Sequence, residues 1–144
     1  MERIDAEESA VASIRREISI DVAPEAVWAA MRDVGALHTR LVAGFVTDCR
    51  LDGDARVVTF ANGVVARELI VDVDDDQRRI AWAAVGGRLT HHNASAQVFS
   101  HATGSRVVWI ADLLPNELAP GIASMIEHGL AAMKMTLEGQ RASR

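Results

Sequence analysis

The sequence predicts an α+β fold in which a seven-stranded, strongly bent antiparallel sheet wraps round one long C-terminal helix. Three observations lead to this prediction. Short segments of alternating or mostly apolar residues recur between residues 44 and 114, each bounded by a turn signal. An amphipathic helical segment follows them, and it is the only large element able to cover one face of such a sheet. Large side chains that could fill the space between sheet and helix are few.

Seven strands are predicted, beginning with Arg16–Val22, where polar and apolar residues alternate. Turn signals such as Asn62 followed by Gly63, the strongest hairpin dipeptide, separate the later strands. Their spacing is near the 8–12 residues that are typical of an antiparallel meander. The six later strands are predicted at Gly44–Leu51, Ala55–Phe60, Val64–Val73, Arg79–Val85, Thr90–His101 and Ser105–Leu114.

Three helices are predicted, two of them short and placed between the first two strands. Pro24 suits the first turn of a helix and Glu25 suits its positive end, and a second short helix covers Ala36–Leu41. The long helix is predicted over Pro120–Glu138, before Gly139, and at 1.5 Å per residue it spans roughly 28 Å. Its apolar stripe consists of Ile122, Met125, Ile126, Gly129, Leu130, Met133 and Leu137.

The length of 144 residues favours one domain over 1–144, with a lead-in at residues 1–13 and a core over about residues 15–139. The N-terminus lacks the basic start and apolar stretch of a signal peptide. Apolar runs fall short of the ~18 residues that a membrane span needs. We therefore expect a cytoplasmic protein without a membrane span.

Composition and motifs argue against several classes of site. The formal charge of −5 gives no basic footprint, so no nucleic-acid partner is expected. Cys49 is the single cysteine, and the histidines lack ligand spacing, so neither an internal disulfide nor a metal site is expected. GxSxG, P-loop and HExxH motifs are missing from the sequence, which leaves hydrolase, nucleotide-binding and zincin functions unsupported. We expect no cofactor.

A hollow interior is predicted because the chain is short of large side chains. It has three Trp, three Phe and no Tyr. A strongly bent sheet wrapped round a helix leaves a cavity unless large residues fill it. The predicted strand faces instead carry small residues, namely Ala81, Ala83, Ala94, Ala96 and Ala111.

The order of elements resembles the helix-grip fold of the START-related, birch-pollen-allergen-like (SRPBCC) superfamily, in its polyketide cyclase/dehydrase and lipid-transport branch. The resemblance is carried by Ile18–Trp28 (ISIDVAPEAVW), Arg67–Leu69 (REL), Arg79–Trp82 (RIAW) and Gly104–Trp109 (GSRVVW). It covers about residues 15–139 and implies a ligand cavity between the sheet and the last helix. Members of the superfamily range from enzymes to carriers to hormone sensors, so the function must be argued from the site.

Glu68 is the first candidate for chemistry, since a carboxylate in the middle of an apolar strand is costly unless it is paired. The resemblance implies that an acidic side chain at this position enters the cavity. Arg67 points to the opposite face because side chains alternate along a strand. The alternative is that Glu68 faces solvent or pairs with an arginine of another strand.

His91 and His92 suggest a metal or acid–base cluster, but adjacent strand residues project to opposite faces. If Thr103–Gly104 is the two-residue turn, Ala96 faces Ala111 and His92 is the inward histidine, although a β-bulge would reverse this. An inward histidine could act as a general base near neutral pH, with Glu68 as its acidic partner. The alternative is a histidine that is merely hydrogen-bonded at the rim of the cavity.

Further residues of five segments are expected to line the cavity. By the resemblance, Arg88 lies in a loop that gates the cavity mouth, and otherwise it is a solvated loop residue. The tryptophans and methionines among these residues also suit a plain core. Asp112 falls on the outer face unless a bulge turns it inward. The expected cavity residues are Trp82, Arg88, Leu89, Ala94, Ala96, Trp109, Ala111, Met125, Ile126 and Met133.

Three functions remain open. The first is binding or transport of a small hydrophobic molecule in the internal cavity. The second is a polyketide cyclase/dehydratase-like enzyme, in which Glu68 and His92 move protons without metal or redox cofactor and the cavity orients the substrate. The third is an interaction protein, including a possible homodimer, that uses outward apolar residues such as Val108 and Ile110.

Overall fold

The computed structural model, which describes residues 13–142, contains a seven-stranded antiparallel sheet and a long C-terminal helix. Two short helices connect the first two strands, and the second of them is a single π-helical turn. A 3₁₀ turn over Asn116–Leu118 leads into the last helix. The elements are β1 (Ser13–Ile20), α1 (Pro24–Met31), α2 (Leu37–Leu41), β2 (Val46–Asp52), β3 (Ala55–Phe60), β4 (Val65–Asp74), β5 (Arg79–Val85), β6 (His91–His101), β7 (Gly104–Leu114) and α3 (Ala119–Ala142).

The strands follow the order β1-β7-β6-β5-β4-β3-β2, so β2 to β7 form a meander and β1 joins its end beside β7. The inner face of the sheet packs on α3, whose residues Ile126, Leu130, Met133 and Leu137 are buried at the steps of three and four that the sequence predicts. The α+β helix-grip fold is thereby confirmed.

The predicted boundaries of the first strand and of the last helix are wrong. The strand β1 begins at Ser13 and ends at Ile20, earlier than predicted at both ends. The helix α3 continues through Gly139 to Ala142. Beyond this glycine the Gln140 side chain donates a hydrogen bond from Nε2 to the Thr39 carbonyl, at 3.1 Å. Tertiary contact therefore outweighs the stop signal of the glycine.

The predicted register of β6 and β7 is wrong by two residues, because Ala96 faces Trp109 instead of Ala111. The turn residues are Ala102, with a φ of 49°, and Thr103. Gly104 lies within β7, where an added Cβ would stand 2.4 Å from the Ile20 carbonyl oxygen, so glycine is needed there for close approach. A shift of two residues leaves every side chain on its predicted face.

Candidate functional site

A cavity of about 200 Å³ lies between the inner face of the sheet and α3. Most of its wall is aliphatic or aromatic, and its ionisable side chains are Arg56, Glu68 and His92. The other lining residues are Met31, Leu37, Leu41, Val42, Phe45, Val46, Val58, Phe60, Val64, Ala66, Ile80, Trp82, Ala84, Leu89, Ala96, Trp109, Ile122, Met125, Ile126 and Met133.

Small residues on two sides keep this space open. On the sheet, Ala66, Ala84 and Ala96 contribute only methyl groups to the wall. On the helix, an added Cβ at Gly129 would stand 2.9 Å from the ring of Trp109, so glycine lets that ring lie against α3. The indole of Trp109 also packs edge-on against Trp82, with ring centroids 5.7 Å apart.

Arg56 and Glu68 form a buried ion pair in the cavity wall. Arg56 Nε donates to Glu68 Oε1 at 2.8 Å, and the side chains are only 5% and 11% exposed. The two residues face each other across β3 and β4, which fixes this geometry through the sheet register. Glu68 therefore lies in the cavity and is also paired with an arginine of another strand, which combines the two interpretations of the sequence.

The guanidinium of Arg56 is held by two further contacts. Arg56 Nη1 donates to the Val34 carbonyl at 3.3 Å, and the guanidinium carbon lies 5.5 Å from the centroid of the Trp82 ring. Such stacking favours the planar, weakly hydrated guanidinium of arginine over the ammonium group of lysine. Arg56 is thus a fixed part of the wall.

His92 accepts a hydrogen bond from the backbone of the neighbouring strand. The amide of Ala84 donates to His92 Nδ1 at 2.9 Å. Because Nδ1 is an acceptor, the proton of the neutral ring lies on Nε2, which is then a donor. Burial, and secondarily the charge of His91, lowers the pKa of His92 and so favours this neutral form. The ring is therefore poised to donate a hydrogen bond, and accepting a proton would break its bond to Ala84.

Arg56, Glu68, Ala84 and His92 lie side by side on the four strands β3 to β6, and we call these four residues the inner row. Arg56 pairs with Glu68, and Glu68 pairs with Ala84. The backbone ladder between β5 and β6 ends at Trp82, and beyond it the Ala84 amide bonds to the side chain of His92. Ala84, the smallest member of the inner row, therefore stands between the carboxylate and the imidazole.

Most of the residues predicted to line the cavity do so, and two alanines do not. The structure places Ala94 and Ala111 opposite each other on the inner face, but both are buried core residues outside the cavity wall. The prediction that they line it is wrong. The structure brings together at the wall the predicted residues Glu68, Trp82, Leu89, His92, Ala96, Trp109, Met125, Ile126 and Met133.

Arg88 and Asp112 lie outside the cavity. Arg88 precedes the lining residue Leu89 but is itself exposed, and its Nη2 lies 3.3 Å from the carboxylate of Glu117. The prediction that Arg88 lines the cavity is therefore wrong, because its side chain turns toward solvent. Asp112 is exposed and accepts a hydrogen bond from Ser13 Oγ at 2.7 Å, across β7 and β1.

Sequence reasoning missed Arg56, which has the most polar contacts of the three ionisable lining residues. Its signal was present, because strand alternation in β3 places it on the same face as Val58 and Phe60. A charged residue in an apolar stripe needs a partner, and Glu68 on the next strand is that partner. The lining residues from α1 and α2 were also missed, since their docking depends on tertiary packing.

Two absences among residues 13–142 bear on the site. No helix in this part of the chain is both long and apolar enough to cross a membrane. Among the same residues, no three His, Cys, Asp or Glu side chains lie close enough together to hold a metal ion.

A bent antiparallel sheet closed by a C-terminal helix over an apolar cavity defines the START-like class of helix-grip proteins. Residues 11–138 match the model of the family described as polyketide cyclase / dehydrase and lipid transport. The chain belongs to this family. No curated protein sequence matches the chain significantly.

Solved structures show the same fold at low sequence identity. The protein XoxI from Bacillus cereus superposes with a TM-score of 0.78 at 18% identity, covering 90% of this chain and 98% of that one. Ara h 8.0201 gives 0.70 at 12% identity, covering 88% and 97% of the two chains. A START superfamily protein from Mycobacterium smegmatis gives 0.67 at 10% identity, covering 89% and 95%.

Proposed function

We propose that this protein binds or transports a small hydrophobic molecule in the cavity between the sheet and α3. The observation that carries the proposal is the cavity of about 200 Å³ with its mostly apolar wall. Protein interiors are normally packed at crystalline density, so a void of this size forfeits packing energy unless a ligand fills it. An apolar wall with a few polar groups is also what small-molecule sites have in common.

Ligand-dependent stabilisation tests the proposal. In a panel of hydrophobic compounds that includes fatty acids, flavonoids and aromatic polyketides, the compounds that fit the cavity are expected to raise the melting temperature by mass action. Ala96→Leu projects into the cavity and should reduce the shift, whereas Ala83→Leu, on the other face of the sheet, should preserve it. A panel that leaves the melting temperature unchanged, with no co-purified molecule in native mass spectrometry, would contradict the proposal.

An acid–base enzyme is the second candidate, because Glu68 and His92 line the same cavity. Their hydrogen bonds favour it less, since the Glu68 carboxylate is held by Arg56 and His92 Nδ1 is held by the Ala84 amide. If the protein cyclises or dehydrates polyketides, Glu68→Gln combined with His92→Ala should abolish turnover while binding persists. Binding of plausible substrates by the unaltered protein without turnover would favour the carrier.

A further inference from the structure

Glu68 and His92 both line the cavity, and the hydrogen bonds described above leave one acceptor atom on the first and one donor atom on the second. Glu68 Oε1 receives the hydrogen bond from Arg56, which leaves Oε2 to accept another. His92 Nδ1 receives the bond from the Ala84 amide, so Nε2 carries the proton and donates. A polar group bound here would satisfy a carboxylate oxygen and an imidazole N–H that are otherwise partly desolvated.

Ala84 separates these two groups and leaves room between them. Glu68 is directly opposite Ala84 on the neighbouring strand, and the His92 ring reaches the Ala84 amide from the other side, so β5 stands between the two polar groups. The methyl group of Ala84 is the shortest side chain that could stand there without being glycine, and it lines the cavity. We call the space over the Ala84 methyl group, between Glu68 and His92, the recess.

The charge of the wall favours a neutral ligand. Arg56 and Glu68 cancel each other at 2.8 Å, and the lowered pKa of His92 keeps its ring uncharged near neutral pH. A ligand carboxylate placed over Ala84 would face Glu68 without a free cation to compensate it. An unpaired charge in a mostly apolar cavity is strongly unfavourable.

The volume limits the size of the ligand. An apolar cavity of about 150 Å³ in another protein holds benzene. The present cavity, at about 200 Å³, is somewhat larger and below the range of about 300–1,000 Å³ for drug-sized ligands. One or two fused rings match this volume, and a sterol or a long acyl chain exceeds it.

We infer that the ligand is a compact, uncharged one- or two-ring molecule that carries a hydroxyl group, held over Ala84 between Glu68 and His92. The hydroxyl donates its hydrogen to Glu68 Oε2, and oxygen lone pairs of the ligand accept from His92 Nε2. This inference rests on the proposed function and adds to it the chemical class of the ligand.

Four ligands of one ring size test the inference by calorimetry at neutral pH, namely naphthalene, 2-naphthol, 2-methoxynaphthalene and 2-naphthoate. We expect 2-naphthol to bind at least tenfold more tightly than naphthalene or 2-methoxynaphthalene, because only a free hydroxyl can donate a hydrogen bond to Glu68. We expect 2-naphthoate to bind more weakly than naphthalene, because of its charge.

A matched pair of variants locates the hydroxyl subsite. Ala84→Val fills the recess and should remove the preference for 2-naphthol over naphthalene. Ala83→Val adds the same carbons on the opposite face of β5 and should retain the preference. If Ala84→Val does not fold, the ligand series on the unaltered protein still decides the question.

The outcomes separate the inference from the proposed function. Equal binding of naphthalene and 2-naphthol, or tighter binding of 2-naphthoate, overturns the inference while the cavity remains a binding site. A preference for 2-naphthol that Ala84→Val leaves intact overturns the assignment of the recess. Binding of none of the four, together with no stabilisation by the wider hydrophobic panel, overturns both.

Discussion

At the scale of single residues, the Arg56–Glu68 pair ties the stability of the protein to two charges that depend on each other. Both side chains are nearly fully buried, so removal of either one leaves the other without compensation in a low-dielectric interior. The exposed pair of Arg67 on β4 and Asp52 on β2, which are 2.6 Å apart across β3, has water to replace either partner.

Substitutions should reveal this dependence in urea unfolding. Glu68→Ala is expected to cost about 3–5 kcal/mol, because it leaves the Arg56 charge buried and unpaired. Combining Arg56→Met with Glu68→Leu should cost much less than either single loss, since no charge is left behind. Arg67→Met should cost at most about 1 kcal/mol. Additive losses for the buried pair would contradict this account.

His92 should make stability depend on pH. Its pKa is lowered by burial from the ordinary value of 6.5, so the unfolded chain binds this proton more tightly than the folded protein does. The stability linked to His92 is therefore complete above about pH 6.5 and is lost as the pH falls below it. His92→Gln retains an acceptor for the Ala84 amide but does not titrate.

Melting temperatures measured from pH 8 to pH 5 test this linkage. The melting temperature of the unaltered protein should fall relative to that of His92→Gln once the pH drops below about 6.5. The other histidines are common to both proteins and cancel in the comparison. A constant difference across the range would show that protonation of His92 does not oppose folding.

At the scale of elements, two glycines of α3 should respond differently to substitution by alanine. An added Cβ at Gly129 meets Trp109 at 2.9 Å and Phe45 at 3.2 Å, whereas at Gly139 nothing lies within 4 Å. Gly139→Ala should therefore gain up to about 1 kcal/mol from helix propensity. Gly129→Ala should gain less or lose stability, and should weaken ligand binding by displacing Trp109 into the cavity.

Chemical denaturation and a fluorescent hydrophobic probe measure both effects. The decisive result is the contrast between the two variants, since the change in propensity is similar in each. Equal stabilisation together with unchanged probe affinity would mean that Trp109 has room to move away from the cavity.

Strand β6 offers a similar contrast between filled and empty parts of the interior. Ala94 and Ala96 are both buried on the inner face, but only Ala96 lines the cavity. Ala94→Leu should cost about 1–3 kcal/mol by overpacking. Ala96→Leu should cost less, because its added carbons enter empty space. Equal costs in thermal unfolding would indicate that the interior near Ala96 is already filled.

The sequence was sufficient for the order of elements and for the faces of most strands, because alternation and turn residues are local signals. The predicted faces of β6 are correct although its predicted register is off by two residues, because side-chain direction repeats every two residues along a strand. Local signals did not suffice at Gly139, where a contact of Gln140 with Thr39 extends the helix. They also left the partner of Glu68 open, because that depends on the register of β3 and β4.

At the scale of the whole molecule, association remains a prediction. Of the two outward residues expected to form an apolar patch, Ile110 is exposed and Val108 is buried. The patch available to a second copy is thus smaller than expected at this place. A homodimer should appear in sedimentation velocity as a concentration-dependent boundary, and a single monomer boundary at high concentration would contradict it.

The end of the hydrogen-bonded ladder between β5 and β6 has a consequence for how the protein moves. Beyond Trp82 the ladder has ended, and the Ala84 amide is bonded to an imidazole that can rotate away about two side-chain torsions. The strands β5 and β6 can therefore separate at Ala84 without breaking a backbone hydrogen bond between them there. The hydrogen-exchange rate of the Ala84 amide, measured by NMR, should therefore report how often the His92 ring rotates away. A ligand that restrains the ring should slow this exchange.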